Sequence, residues 1–164
     1  SGYYPSAENR TLDWFEWWPC KREGRRFIGQ YVQTQNDILP HPGQDFEPKL
    51  YWDRVAYGGW NFDLHNPKGI YDTAHPPYTS TSLPYIYSTP LSSLIASNVT
   101  NLFLAGRLAS FSQVVYGSQR VMKTTSTHGQ AAGTGILKYV ARGNPFANVH
   151  LYNISKIYSR CVLY

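Results

Sequence analysis

The sequence predicts an α/β fold, reducing to α+β for this stretch of chain taken alone. Three observations carry that expectation. The first is the order of residues between Asn101 and Arg142. A short apolar run, Leu102-Phe103-Leu104-Ala105, breaks at Gly106-Arg107, passes through a Ser- and Gly-rich loop and ends in a long segment of small residues. That order reads as buried strand, ligand-facing loop and long helix. The second is the helix stop after it, Gly143 followed by Pro145. The third is a set of β-rich runs upstream, separated by Pro- and Gly-rich loops.

Taken in order, residues 1 to 20 are rich in Tyr and Trp and lack a clear period. Thr11 to Trp18 has the makings of a short helix, stopped by Pro19. Its aromatics read first as a cover packed on the core, and second as a substrate wall. Phe27 to Thr34 alternates loosely and carries β-formers, which predicts a strand. The basic cluster before it, Lys21 to Arg26, is either a solvated turn or a grip on a carboxylate or phosphate through Arg25 and Arg26. Gln35 to Lys49 reads as loop, and Asp53 to Trp60 as extended chain broken by Gly58-Gly59. Asn66 to Pro84 is too aromatic for a free linker and reads as a lid or insertion. Tyr85 to Pro90 reads as a strand, and Leu91 to Ala96 as a helical turn or short strand. The final helix is expected to start between Ser118 and Lys123. Val121, Thr125, His128, Ala132, Ile136 and Tyr139 would form its stripe. Glycines inside that helix cost about 1 kcal/mol each relative to Ala, so close packing is expected to offset them.

A chain of 164 residues fits one domain with a sizeable core. Charged residues are only 15% and aromatics 16%, with 14 Tyr and 5 Trp, so many rings must line a groove, an interface or a ligand surface. The net charge of +5 is mild, and only Lys21 to Arg26 is dense. Nucleic acid binding would want a longer basic face, so it is set aside. A site for an anionic cofactor or an acidic sugar needs only a few cations. No apolar run is long enough to span a membrane. Ser1-Gly2 reads as a cut boundary, so the lack of a signal peptide carries little. Cys20 and Cys161 are too few for a disulfide framework, and three Asn-x-Ser/Thr tripeptides are treated as chance.

Two places carry chemistry. Asp63 and His65 lie two apart, so an extended segment puts both on one face. A carboxylate beside an imidazole serves acid/base work or binds a metal, and the plain alternative is a hydrogen-bonded loop pair. No third ligand has metal spacing, so no metal is assigned. The other place is the loop-to-helix junction at Gly117 and Ser118. Free N–H groups and the positive end of a helix dipole there suit an anion, with Arg107 and Arg120 adding charge. GxGxxG after a strand, a P-loop, a zinc cysteine pattern and GxSxG are all absent. Physics alone therefore gives an α/β domain, or half of one, with an anion-friendly junction.

A resemblance narrows this. Asn101-Leu102-Phe103-Leu104-Ala105-Gly106-Arg107, then Gly117-Ser118-Gln119-Arg120-Val121-Met122, then Gly129-Gln130-Ala131-Ala132-Gly133 resembles the carboxyl-terminal signature of the FAD-dependent oxidoreductase family. This is a bacterial flavoprotein group whose members are often labelled xanthan lyases. Arg22-Glu23-Gly24-Arg25-Arg26-Phe27-Ile28-Gly29-Gln30-Tyr31-Val32 resembles its RExRRIxGEYxL segment, and Gly58-Gly59-Trp60 with Asp63 and His65 resembles GGWxxDxH. The resemblance implies a two-domain, Rossmann-like FAD-binding fold, of which 1–100 would be part of the substrate or cap domain, 101–142 the final strand, loop and helix of the FAD domain, and 143–164 a tail. It implies that Gly106 and Arg107 approach the pyrophosphate and ribityl chain of FAD. Gly117, Ser118, Arg120, Val121, Met122 and Gln130 would lie by the flavin. Arg25, Arg26, Tyr57, Asp63 and His65 would face a small-molecule substrate, with His65 the acid/base group.

There are departures. The family's first βαβ unit, with GxGxxG for the ADP half of FAD, does not occur in this sequence. The resemblance therefore implies the carboxyl-terminal portion of a larger enzyme, inactive alone, whose amino-terminal FAD-binding segment is a required partner. Gln30 replaces the glutamate of GEY, and Lys123 and His128 stand in a helix that is more apolar in the family. The competing expectations are a non-catalytic, aromatic-rich carbohydrate-binding module and an inactive flavoprotein relative.

Overall fold

The computed structural model describes residues 10–15, 17, 24–39 and 47–141. Within them the chain is α+β, with small antiparallel sheets and two consecutive helices. Strand β1 (Arg54–Gly58) pairs antiparallel with β4 (Tyr87–Pro90), and β2 (Phe62–His65) with β3 (Tyr78–Thr81). Each pair is a sheet of its own. Helices α1 (Gln113–Gln119) and α2 (Met122–Ala141) follow.

The β1–β4 pair lies in the core. All of β4 is buried although its residues are largely polar, Tyr87-Ser88-Thr89-Pro90. Burying hydroxyls is tolerable only when each is bonded, and here each is. The Tyr87 hydroxyl meets Ser118 Oγ at 2.6 Å, Ser88 Oγ donates to Lys49 O at 3.0 Å, and Thr89 Oγ1 accepts from Gln119 Nε2 at 2.7 Å. The same Gln119 Nε2 donates to Gln33 Oε1 at 2.9 Å, and Gln33 Nε2 donates to Ser88 O at 2.8 Å. Around this network pack Ile38, Val55, Phe62, Leu91, Leu94, Leu104, Phe111, Val115 and Tyr116. Burying one such Leu stabilises the fold by about 2 kcal/mol.

Several expectations change. The buried strand at Leu102–Ala105 is a single antiparallel bridge, Ile95↔Phe103, because a helical turn (Leu91–Leu94) ends immediately before its partner Ile95 and Gly106 ends the extension at once. Phe27–Thr34 is extended but makes only isolated bridges, Gly29↔Ala96 antiparallel and Gln33↔Phe111 parallel. It switches partners midway, so no ladder propagates, and its Phe27, Ile28 and Val32 are exposed. The insertion Asn66–Pro84 contains a real strand, β3, which pairs with β2. Residues 11–15 form no helix, and Leu12, Trp14, Phe15 and Trp17 are exposed rather than packed on the core.

The Ser/Gly loop after Arg107 is largely α1. Ser112 caps it, accepting a bond from Val115 N, and Val115, Tyr116 and Gln119 point into the core. The buried stripe of α2 is Thr124, His128, Ala131, Ala132 and Gly135, so Val121, Thr125 and Ile136 sit to one side of it. Of the glycines in α2, only Gly135 is packed among the described residues, against the Phe103 ring. The side chain of Tyr139, both cysteines, Lys21 to Glu23 and the tail 143–164 lie outside the described residues.

Candidate functional site

The chain brings its loop-to-helix junction and Asp63 to one cleft, with His65 beside Asp63 but outside the cleft lining. Gly106 adopts φ +61°, a left-handed conformation that suits glycine, and opens a single helical turn (Gly106–Leu108). That turn lies against the start of α2: a methyl added at Gly106 would meet the Thr125 side chain at 3.7 Å. Facing it is β2, held against α1 by close backbone approach. A Cβ at Gly117 would stand 2.7 Å from Asp63 O and 3.0 Å from a Leu64 methyl, so only glycine seats α1 there.

Between these elements is a cleft of about 760 Å³. Gly106, Arg107, Gly117, Arg120, Val121 and Met122 line it, together with Asp63. So do Trp60, Lys123 and Thr125, which were not expected among the cofactor or substrate contacts. The signal for Trp60 was its place between the double glycine and Asp63. Lys123 and Thr125 stand in the first turn of α2, where any side chain of a ligand-facing helix start must be considered. Arg107, Lys123 and Met122 are exposed, and Trp60 is 58% exposed, so charge and a flat apolar face are open to a ligand.

Arg120 caps the end of α1 and turns inward. Its guanidinium donates to Asp63 Oδ2 at 2.5 Å and to Asp63 O at 3.2 Å. The other carboxylate oxygen, Oδ1, lies 3.4 Å from His65 Nε2. The expected shared face of Asp63 and His65 is thus present on β2. The Tyr78 ring, directly across the β2–β3 pair from His65, sits 5.6 Å from the imidazole.

The remaining predicted residues fall elsewhere. Ser118 is fully buried behind the cleft wall: its Oγ donates to Trp60 O at 2.5 Å and therefore accepts from the Tyr87 hydroxyl. Burial pushes the Tyr87 phenol up to about 12, and the Ser118 hydrogen bond opposes that rise. Tyr57 is on the exposed side of β1, accepting from Arg54 Nε at 3.1 Å. The Arg26 guanidinium lies over the Tyr116 ring, 5.1 Å from its centroid, and Arg25 is exposed. Gln130 is exposed along α2, beyond the cleft. Among the described residues no group of three His, Cys, Asp or Glu gathers, and no helix is long and apolar enough to cross a membrane.

The donor set fits FAD. The open N–H groups of a 20-residue helix, a guanidinium and an ammonium suit its anionic parts, and an exposed indole suits a flat ring. No curated protein and no solved structure matches the chain. A model of the family described as FAD dependent oxidoreductase matches residues 2–158. The chain therefore belongs to the FAD dependent oxidoreductase family, and FAD is its cofactor.

Proposed function

We propose that this chain forms the flavin-facing wall and part of the substrate pocket of an FAD-dependent oxidoreductase acting on a small molecule. A glycine-rich βαβ segment outside this sequence would hold the ADP half of FAD. The observation that carries the reading is the common cleft: Gly106, Arg107, Gly117, Val121 and Met122 share it with Asp63. When bound, FAD accepts the two electrons that leave the substrate. The chain's own residues do the rest. The first turn of α2 offers backbone N–H groups and a positive dipole end to negative charge. Arg107 and Lys123 add positive charge at the rim. His65, backed by Asp63, takes or returns the substrate's proton. Trp60 supplies an apolar wall.

The test is direct. The protein rejoined to its amino-terminal FAD-binding segment should purify yellow, with stoichiometric flavin. A correctly folded but colourless protein with no FAD affinity would sink the reading, and glycan binding that ignores flavin would favour the carbohydrate-binding alternative. Arg107→Ala should weaken FAD binding on the order of tenfold, read by flavin fluorescence, and the loss should shrink as salt rises. His65→Ala should leave FAD affinity unchanged and slow flavin reduction by roughly a hundredfold or more.

A further inference from the structure

We infer that Arg120 is a positioning residue: it fixes the Asp63 carboxylate so that Asp63 holds His65 with a proton on Nε2. The inference rests on the reading of Asp63 and His65 as the proton-transfer pair, and it gives Arg120 a role other than gripping the cofactor.

One guanidinium nitrogen bonds both the carboxylate and the main-chain carbonyl of Asp63, at 2.5 and 3.2 Å. That double contact fixes the side chain relative to its own backbone. The Arg120 side chain is only 11% exposed, so although it lines the cleft its charge is engaged with Asp63. Its own backbone is fixed too, as the residue that caps the end of α1, with its N–H donating to Tyr116 O at 3.1 Å. One turn earlier Gly117 seats the helix on the Asp63 carbonyl. Asp63 is therefore held twice by α1.

What this leaves is an oxygen with a defined need. Among the described residues, Asp63 Oδ1 is shut off from solvent and has no hydrogen-bond donor. A buried carboxylate oxygen without a donor is costly, so a group that can supply N–H is favoured there. His65 Nε2 is 3.4 Å away on the same face of β2. The Tyr78 ring limits how far the imidazole swings. The pair is at ion-pair distance without being aligned as a hydrogen bond, and a small rotation of the ring would aim a proton on Nε2 at Oδ1, leaving Nδ1 as the acceptor of the neutral ring. A proton gained at Nδ1 gives an imidazolium that the Asp63 carboxylate balances. With Arg120 so engaged, the attraction for anions falls to Arg107 and Lys123.

The ring nitrogens of His65 report this directly, by 15N-detected spectra of histidine-labelled protein at neutral pH, assigned with His65→Gln. Expected is a dominant Nε2–H tautomer in the unmutated protein, retained in Arg120→Lys and lost to an averaged ring in Arg120→Met. An averaged His65 in the unmutated protein overturns the inference. So does an unchanged tautomer in folded Arg120→Met. If Arg120→Met does not fold, Arg120→Gln, which keeps an amide donor but no charge, takes its place with the same expectation. Flavin titration is read separately. Lack of FAD binding removes the oxidoreductase reading and leaves the tautomer result standing, whereas FAD binding with an averaged His65 removes only the role of Arg120.

Discussion

His128 is a polar residue in an apolar position. It is fully buried beside Phe111, and among the described residues neither ring nitrogen finds a partner. Burial pushes its pKa down to about 4. The unfolded chain, with an ordinary value near 6.5, then binds more protons than the folded one between those two values. Stability should therefore be full above about pH 6.5 and fall as pH drops towards 4, by at most about 3 kcal/mol. Urea unfolding of the protein and of His128→Leu at several pH values checks this: the variant should lack that part of the slope. Ser118 gives a second contrast. Ser118→Ala leaves the buried Tyr87 hydroxyl and the Trp60 carbonyl without their shared partner and should cost about 1–3 kcal/mol. Tyr87→Phe leaves the Ser118-to-Trp60 bond intact and should cost less. Equal losses would mean that the hydroxyl chain is not the source. The sequence marked Ser118 as a ligand contact because it follows Gly117 in the family signature. Nothing local revealed that its hydroxyl is bound by residues 31 and 58 positions away.

Among the elements, α1 was the least legible. The serines before it and its own Gly117-Ser118 look like loop chemistry, and its helix rests on one Ser112 cap and on apolar residues facing a core assembled from distant chain. The long helix α2 was legible in its existence and its length, since Gly143 and Pro145 mark an end and small residues fill its interior. Its buried face was misjudged by about one residue because it packs on β1 and on the Gly106 turn rather than on a broad sheet. Strands β1 and β4 were readable from extended runs closed by Gly58-Gly59 and by Pro90, whereas β3 was hidden among prolines. The α1–β2 contact is the one on which the Asp63 geometry depends. Gly117→Ala should push β2 away and destabilise the fold by about 1–3 kcal/mol. Thermal unfolding measures the cost, and the His65 nitrogen spectra should change with it. A methyl tolerated there with both unchanged would mean that the close approach does not hold Asp63.

For the molecule as a whole, the candidate cleft is built from stretches that the sequence singles out, whereas the sheets are not those of the expected fold. Cleft residues come from Trp60–Asp63, Gly106–Arg107 and Gly117–Thr125, and the last two blocks were visible as one strand-loop-helix unit. Their convergence with Asp63 was not, because it depends on the Arg120 pair and on Gly117, which are contacts across more than fifty residues of chain. The parallel sheet expected of an α/β protein is replaced among the described residues by two separate antiparallel pairs. One consequence concerns Gly129 and Gly133. Among the described residues nothing lies within 4 Å of a methyl built on either. In this chain Gly→Ala at these positions should therefore raise stability by up to about 1 kcal/mol each, from helix propensity alone. Melting curves of the two variants thus make α2 a proximity gauge. A rise in midpoint reports a bare helix flank, and a rise that turns into a loss when a partner or cofactor is added reports a surface arriving within one methyl's width of the helix.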